Sequence, residues 1–102
     1  MLKDDLFQAG NVKTEPVKVG GIKLYVRQLT YGARLEMEKT VLAKGPDSLD
    51  LRTQAILLCT CDENGDAVFT KEDLPNIMNM RADMIDALFQ EIDKVNGFTE
   101  KN

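Results

Sequence analysis

The sequence predicts an α+β domain in which an N-terminal antiparallel β-hairpin packs on a mostly helical body of three to four helices. Three observations carry this expectation. Val17 and Val19 alternate with Lys18, and Ile22, Leu24 and Val26 alternate with Lys23, Tyr25 and Arg27, on either side of Gly20-Gly21. Apolar residues between Met84 and Val95 recur at helical spacing. The 102 residues, 43% hydrophobic and 29% charged, are enough for one core without disulfide or metal staples.

Each element follows from local chemistry. Residues 1–11 mix charges and small groups without a period, and Leu2, Leu6 and Phe7 offer at most one docking helical turn. They are expected to form a flexible or loosely docked N-terminus ahead of a single domain over 12–102. Gly20-Gly21 supplies the positive φ angles of a type I′ turn between two β-rich runs. The period of two places the aliphatic residues on one face, and a two-stranded ribbon then needs a second layer to be stable.

Thr30 reads as the N-cap of a helix over Tyr31–Ala43, with Leu35, Val41 and Leu42, plus Ala33 or Met37, on its inner stripe. Gly45-Pro46 stops it, and Asp47 or Ser48 caps a second helix over about 49–60. Leu51, Ala55, Leu58 and Cys59 share one face of that helix, whose broad apolar arc marks it as central. Asp62–Asp66 is a turn cluster before the short extended run Ala67-Val68-Phe69. Thr70 with Asp73 resembles a capping box, and the helix it opens is brief because Pro75 fits only a first turn. The last helix, 82–95, turns Met84, Ile85, Leu88, Phe89, Ile92 and Val95 inward and Asp83, Asp86, Glu91 and Lys94 outward. Asn96-Gly97 is its left-handed stop, with Phe98 folding back.

Composition removes whole classes of function. The chain has no His and no Trp, and so lacks the usual general base, the Ser-His and Cys-His nucleophile pairs, and the commonest metal ligand. No catalytic residue and no cofactor are expected. The pairs Glu36 with Glu38 and Asp83 with Asp86 lie on predicted solvent faces, whereas a catalytic acid needs burial to raise its pKa. The net charge of −4 is uneven. Residues 1–51 hold 8 basic and 7 acidic groups, and residues 52–102 hold 5 and 10. An acidic half repels phosphate backbones, so no nucleic-acid partner is expected. Gly20-Gly21 joins two strands and is therefore a turn, not a phosphate loop.

Cys59 and Cys61 are too close in sequence to bridge easily, and no second pair completes a zinc site. Both read as reduced thiols, Cys59 the more buried, in a reducing cytoplasm. The start lacks a signal-peptide layout, and the longest apolar run, Ala55–Cys59, is far too short to cross a bilayer. No membrane partner is expected.

Two kinds of binding site are worth testing against the sequence. Asp62, Asn64, Asp66, Val68 (through its carbonyl), Thr70 and Asp73 fall at the ligand positions of a calcium loop. However, the sixth position is Ala67 with Gly65 two places early, and Asp73 is one methylene short of the bidentate Glu. Calcium at Asp62, Asn64, Asp66 and Asp73 is therefore a weak candidate beside a plain turn. Met78, Met80 and Met84 cluster near the C-terminal helix. Met84 belongs to the inner stripe, which leaves Met78 and Met80 as candidates for an adaptable partner surface. Tyr25, Arg27 and Tyr31 are candidates for a second one beside the hairpin.

The order of motifs is similar to that of a known family. Leu24-Tyr25-Val26-Arg27-Gln28-Leu29-Thr30 leads into a charged helix. A central helix then runs into Cys61-Asp62-Glu63-Asn64-Gly65-Asp66-Ala67-Val68-Phe69-Thr70-Lys71-Glu72-Asp73-Leu74, and the chain closes on Leu88-Phe89 and Val95-Asn96-Gly97-Phe98-Thr99-Glu100. Over residues 12–100 the chain resembles the tail assembly chaperones of long, non-contractile-tailed bacteriophages and prophages. The most specific parts are the Val-Arg-x-Leu-Thr junction, the Asp-Glu-Asn-Gly to Phe-Thr-x-Glu-Asp stretch, and an end that reads Val95-Asn96-Gly97 where a Leu-Asn-Gly-like sequence is expected.

The resemblance implies a non-enzymatic assembly factor in the cytoplasm of the bacterial host. Its partners would be the tape measure protein and tail tube subunits, with self-association open, and it would be absent from the mature virion. It carries over no catalytic or binding residues. It also implies a longer form made by a minus-one ribosomal frameshift, for which Glu100-Lys101-Asn102 could be encoded by the slippery GAA-AAA-AAC. Two alternatives stand beside it: a structural tail or head–tail connector subunit, and a calcium-binding module at Asp62–Asp73.

Overall fold

A computed structural model describes residues 1–44 and 49–97. Its element order is α1 (Leu2–Ala9), β1 (Thr14–Val19), β2 (Ile22–Arg27), α2 (Tyr31–Lys44), α3 (Leu49–Cys59), β3 (Thr60–Cys61), a 3-10 turn (Lys71–Asp73), α4 (Leu74–Met78) and α5 (Ala82–Asn96). This is the α+β arrangement of hairpin and helices that the residue pattern predicts.

The hairpin forms in the expected register. Val19 pairs with Ile22 and Val17 with Leu24, across Gly20 and Gly21 at φ of 59° and 79°. Those angles make the turn type I′, whose twist matches that of the flanking strands. The second layer comes from α5, which lies against β1 and β2, and α3 packs between α5 and α2. Val19, Val26, Met37, Ala55, Ile56, Cys59, Leu88 and Ile92 form the buried core. Each large aliphatic among them contributes roughly 1.5–3 kcal/mol of burial.

The ends of the helices obey their chemistry. Ala33 N–H donates to Thr30 Oγ1 at 3.1 Å, so Thr30 caps α2 as expected. Thr70 N–H donates to Asp73 Oδ2 at 2.8 Å, closing the capping turn before α4, and Pro75 sits in that helix's first turn. Gly97 adopts φ 70°, ψ 34° and ends α5. The expected stop at Gly45-Pro46, the caps at Asp47 or Ser48 and the fold-back of Phe98 lie outside the described residues.

Several expectations are corrected. Thr60, placed in the second helix, forms with Cys61 a third strand paired to β2 through Val26 and Tyr25. The run Ala67-Val68-Phe69 is not a strand; only Ala67 bridges Cys61, and Val68 N–H reaches Thr60 O at 3.1 Å. In α2 the inner residues are Ala33, Met37, Thr40 and Val41, while Leu35 and Leu42 are exposed. Among the described residues that helix packs chiefly on α3, so a narrow stripe suffices and two leucines remain outside it. Cys61 is as fully buried as Cys59, because β3 joins the sheet at its Tyr25 partner on β2.

α1 is helical, but none of its residues is buried. Leu2, Leu6 and Phe7 all stand in solvent. Ile22, expected on the apolar face of the hairpin, is also exposed, since it sits at the turn end of the ribbon.

Candidate functional site

A cleft of about 460 Å³ opens between α2, α3 and the 3-10 turn with α4. It is open and shallow, unlike the enclosed pockets that bury most of a small ligand. Ala43, Leu57, Leu74 and Met78 give it an apolar lining, Thr40, Thr53 and Gln54 a polar one, and Glu36, Lys39 and Lys71 its charges. Thr40 Oγ1 donates to Gln54 Oε1 at 2.8 Å and so ties α2 to α3 within it. Lys39 Nζ lies 3.6 Å from Glu36 Oε1, a solvent-exposed pair of little energetic weight. Lys71 has no ion-pair partner among the described residues. The arrangement suits non-covalent binding of an apolar segment with polar edges.

Only one of the partner-surface residues expected from sequence lies here. Met78 lines the cleft and is exposed, with 64% of its surface open, whereas Met80 is partly exposed outside it. Tyr25 is half-buried on β2 opposite Cys61, with Lys23 Nζ 5.7 Å from its ring centre. Tyr31 is exposed at the start of α2. Arg27 is half-buried and committed to structure. Its Nε donates to Leu58 O at 2.7 Å and its Nη1 to Gly65 O at 3.1 Å.

That arginine belongs to a network that sequence reasoning missed. Asn96 Oδ1 accepts the Leu29 N–H at 2.9 Å, while Asn96 Nδ2 donates to Ile92 O at 3.1 Å and lies 3.3 Å from Arg27 O. The Val26–Thr30 junction, the Asp62–Gly65 turn and the Val95–Gly97 end are therefore held at one point. Asn96 was legible as a helix stop, but nothing local says that its amide bonds to the β2–α2 junction 67 residues away.

The loop weighed for calcium is built as a turn. Asp62 Oδ1 accepts the N–H groups of Asn64 at 2.9 Å and Asp66 at 3.1 Å, and Asp73 Oδ2 is engaged by Thr70. Among the described residues no group of three or more His, Cys, Asp or Glu could hold a metal ion. Burial pushes the Cys59 thiol up to about 12 against the opposing pull of Arg27, and it raises Cys61 as well. Such thiols stay protonated and make poor nucleophiles. No described helix is long and apolar enough to cross a membrane.

The family model for the phage tail assembly chaperone, TAC, matches residues 4–96. The chain belongs to the phage tail assembly chaperone family. A structure of the bacteriophage HK97 tail assembly chaperone superposes with a TM-score of 0.65 at 15% identity, over 90% of this chain and 97% of that one. Such low identity speaks for a shared fold and for nothing finer. No curated protein matches the chain. The three motifs quoted for the family resemblance are the ones that Arg27 and Asn96 join. In this chaperone they build the fold, and the cleft lies elsewhere.

Proposed function

We propose that this chaperone binds the tape measure protein in the host cytoplasm, shields its helical apolar segments, and promotes assembly of tail tube subunits around it, without remaining in the virion. The observation that carries the reading is the family match over residues 4–96. The cleft between α2, α3 and α4 gives it a physical seat. An amphipathic client helix can lay its apolar face on Leu57, Leu74 and Met78 by the helix-in-groove mode. Methionine suits a client of varied sequence because its side chain is flexible and polarisable. Many weak copies along one long client gain from multivalency, so a shallow site is enough. Tyr31 and Met80 are further exposed contacts for the same role. The protein acts by binding, not catalysis.

Quantitative mass spectrometry of purified virions against infected-cell lysate tests this role. The chaperone reading expects the chain in lysate during assembly and its absence from finished particles. A fixed number of copies per virion would overturn that reading in favour of a tail or connector subunit.

A further inference from the structure

We propose that the outer face of the hairpin is a second docking surface, where Lys18 and Lys23 take a client helix bearing two carboxylates one turn apart. Residues directly opposite in β1 and β2 share a face. Val17 with Leu24, and Glu15 with Val26, turn toward the core, so the other face carries Thr14, Pro16, Lys18, Lys23, Tyr25 and Arg27. Glu15 is the one carboxylate in these two strands, and it stands on the wrong side to neutralise the lysines. Gln28 N–H donates to Lys13 O, and the alternation of the ladder from there leaves Lys18 and Lys23 as a non-hydrogen-bonded pair. The Cα atoms of such a pair lie about 4.5 Å apart, and like charges directly opposite destabilise a ribbon. Both lysines are exposed, and neither has an ion-pair partner among the described residues. Lys23 Nζ lies 5.7 Å from the Tyr25 ring centre, which holds one ammonium over that face.

An anionic partner removes the repulsion and gains two charge pairs, so charge complementarity names the occupant. Carboxylate residues three or four apart on a helix have Cβ atoms about 5–6 Å apart. That matches the roughly 4.5–5.5 Å between the Cβ atoms of directly opposed strand residues. An added strand is the poorer occupant. β1 is an edge strand, and the same alternation points the backbone of Thr14, Pro16 and Lys18 outward. Pro16 has no N–H to donate, so the edge breaks where a new strand would pair. A nucleic acid is poorer too, since the chain as a whole carries −4. The inference rests on the proposed function for its client. It adds a polar contact apart from the apolar cleft, one that selects acidic client helices and speeds their capture.

Thermal melts of the free chain, and retention of the tape measure protein of the same genome on the immobilised full chain, test it together. Lys18→Glu turns the repulsion into a cross-strand attraction, so it should raise the melting temperature by about 2 °C. The same variant should retain about tenfold less client. Lys18→Arg with Lys23→Arg should retain as much client as the wild type. Retention by the wild type should fall between about 50 and 300 mM salt, and Lys18→Gln with Lys23→Gln should flatten that fall. A Lys18→Glu chain that melts no higher than the wild type overturns the proposal. If the wild type retains client and the Glu and Gln variants retain as much, this contact falls and the proposed function stands. If the wild type retains none, both fall. A single-stranded DNA oligonucleotide that binds these lysines in place of the client would also overturn it.

Discussion

Asn96 and Arg27 decide how the pieces of this chaperone meet. Asn96 satisfies the Leu29 N–H and approaches the Arg27 carbonyl, and the Arg27 guanidinium satisfies the carbonyls of Leu58 and Gly65. Asn96→Ala leaves half-buried backbone groups unpaired and should cost about 2 kcal/mol in urea unfolding. Thr60 presents the opposite case, since its buried hydroxyl has no hydrogen-bond partner. Thr60→Val keeps the β-branched shape and removes the unsatisfied group, so it should stabilise by about 1 kcal/mol in the same assay. The thiols set a pH dependence. Cys59 has its folded pKa raised from 9.0 to about 12, so the unfolded chain releases this proton first as pH rises. The stability tied to the neutral thiol is complete below pH 9 and is lost between pH 9 and 12. Alkaline melts of the wild type should fall across that window, and those of Cys59→Ala should fall less. None of these roles was legible locally, because each depends on a contact between distant segments.

Elements were more readable than residues wherever the pattern was periodic. The hairpin and α5 follow the sequence closely, because period-two alternation and a six-residue inner stripe each fix a face. α2 misled, since Leu35 and Leu42 look like core residues but a helix that packs, among the described residues, chiefly on one neighbour buries only a narrow stripe. β3 escaped because two residues carry no periodicity, and Thr60-Cys61 continues the apolar arc of α3 without a break. The hairpin turn offers a clean test. A Cβ on Gly20 would lie 2.6 Å from Met84 Sδ, whereas one on Gly21 meets nothing within 4 Å. Both residues have positive φ. Gly21→Ala should therefore cost about 1 kcal/mol of backbone strain, and Gly20→Ala about the same, because the flexible end of Met84 can move aside.

The whole molecule separates a fold-building centre from an open cleft. The motifs that make the sequence look like a tail assembly chaperone converge on Arg27 and Asn96, where they hold sheet to helices. The cleft instead draws single residues from α2, α3 and α4, whose only sequence signals are an apolar arc wider than the core needs and Met78 on a short helix. Of the residues expected on a partner surface, Met78 lines this cleft, while Tyr25 pairs within the sheet and Arg27 bonds to the backbone of Leu58 and Gly65. The measurement that bears most directly on the account is co-expression with the tape measure protein of the same genome, scored for soluble client and for a co-purifying complex. The wild-type chain should raise soluble client several-fold and co-purify with it, and Met78→Asp should weaken both effects while leaving the chaperone folded. A client that stays insoluble, with nothing co-purifying, would contradict it.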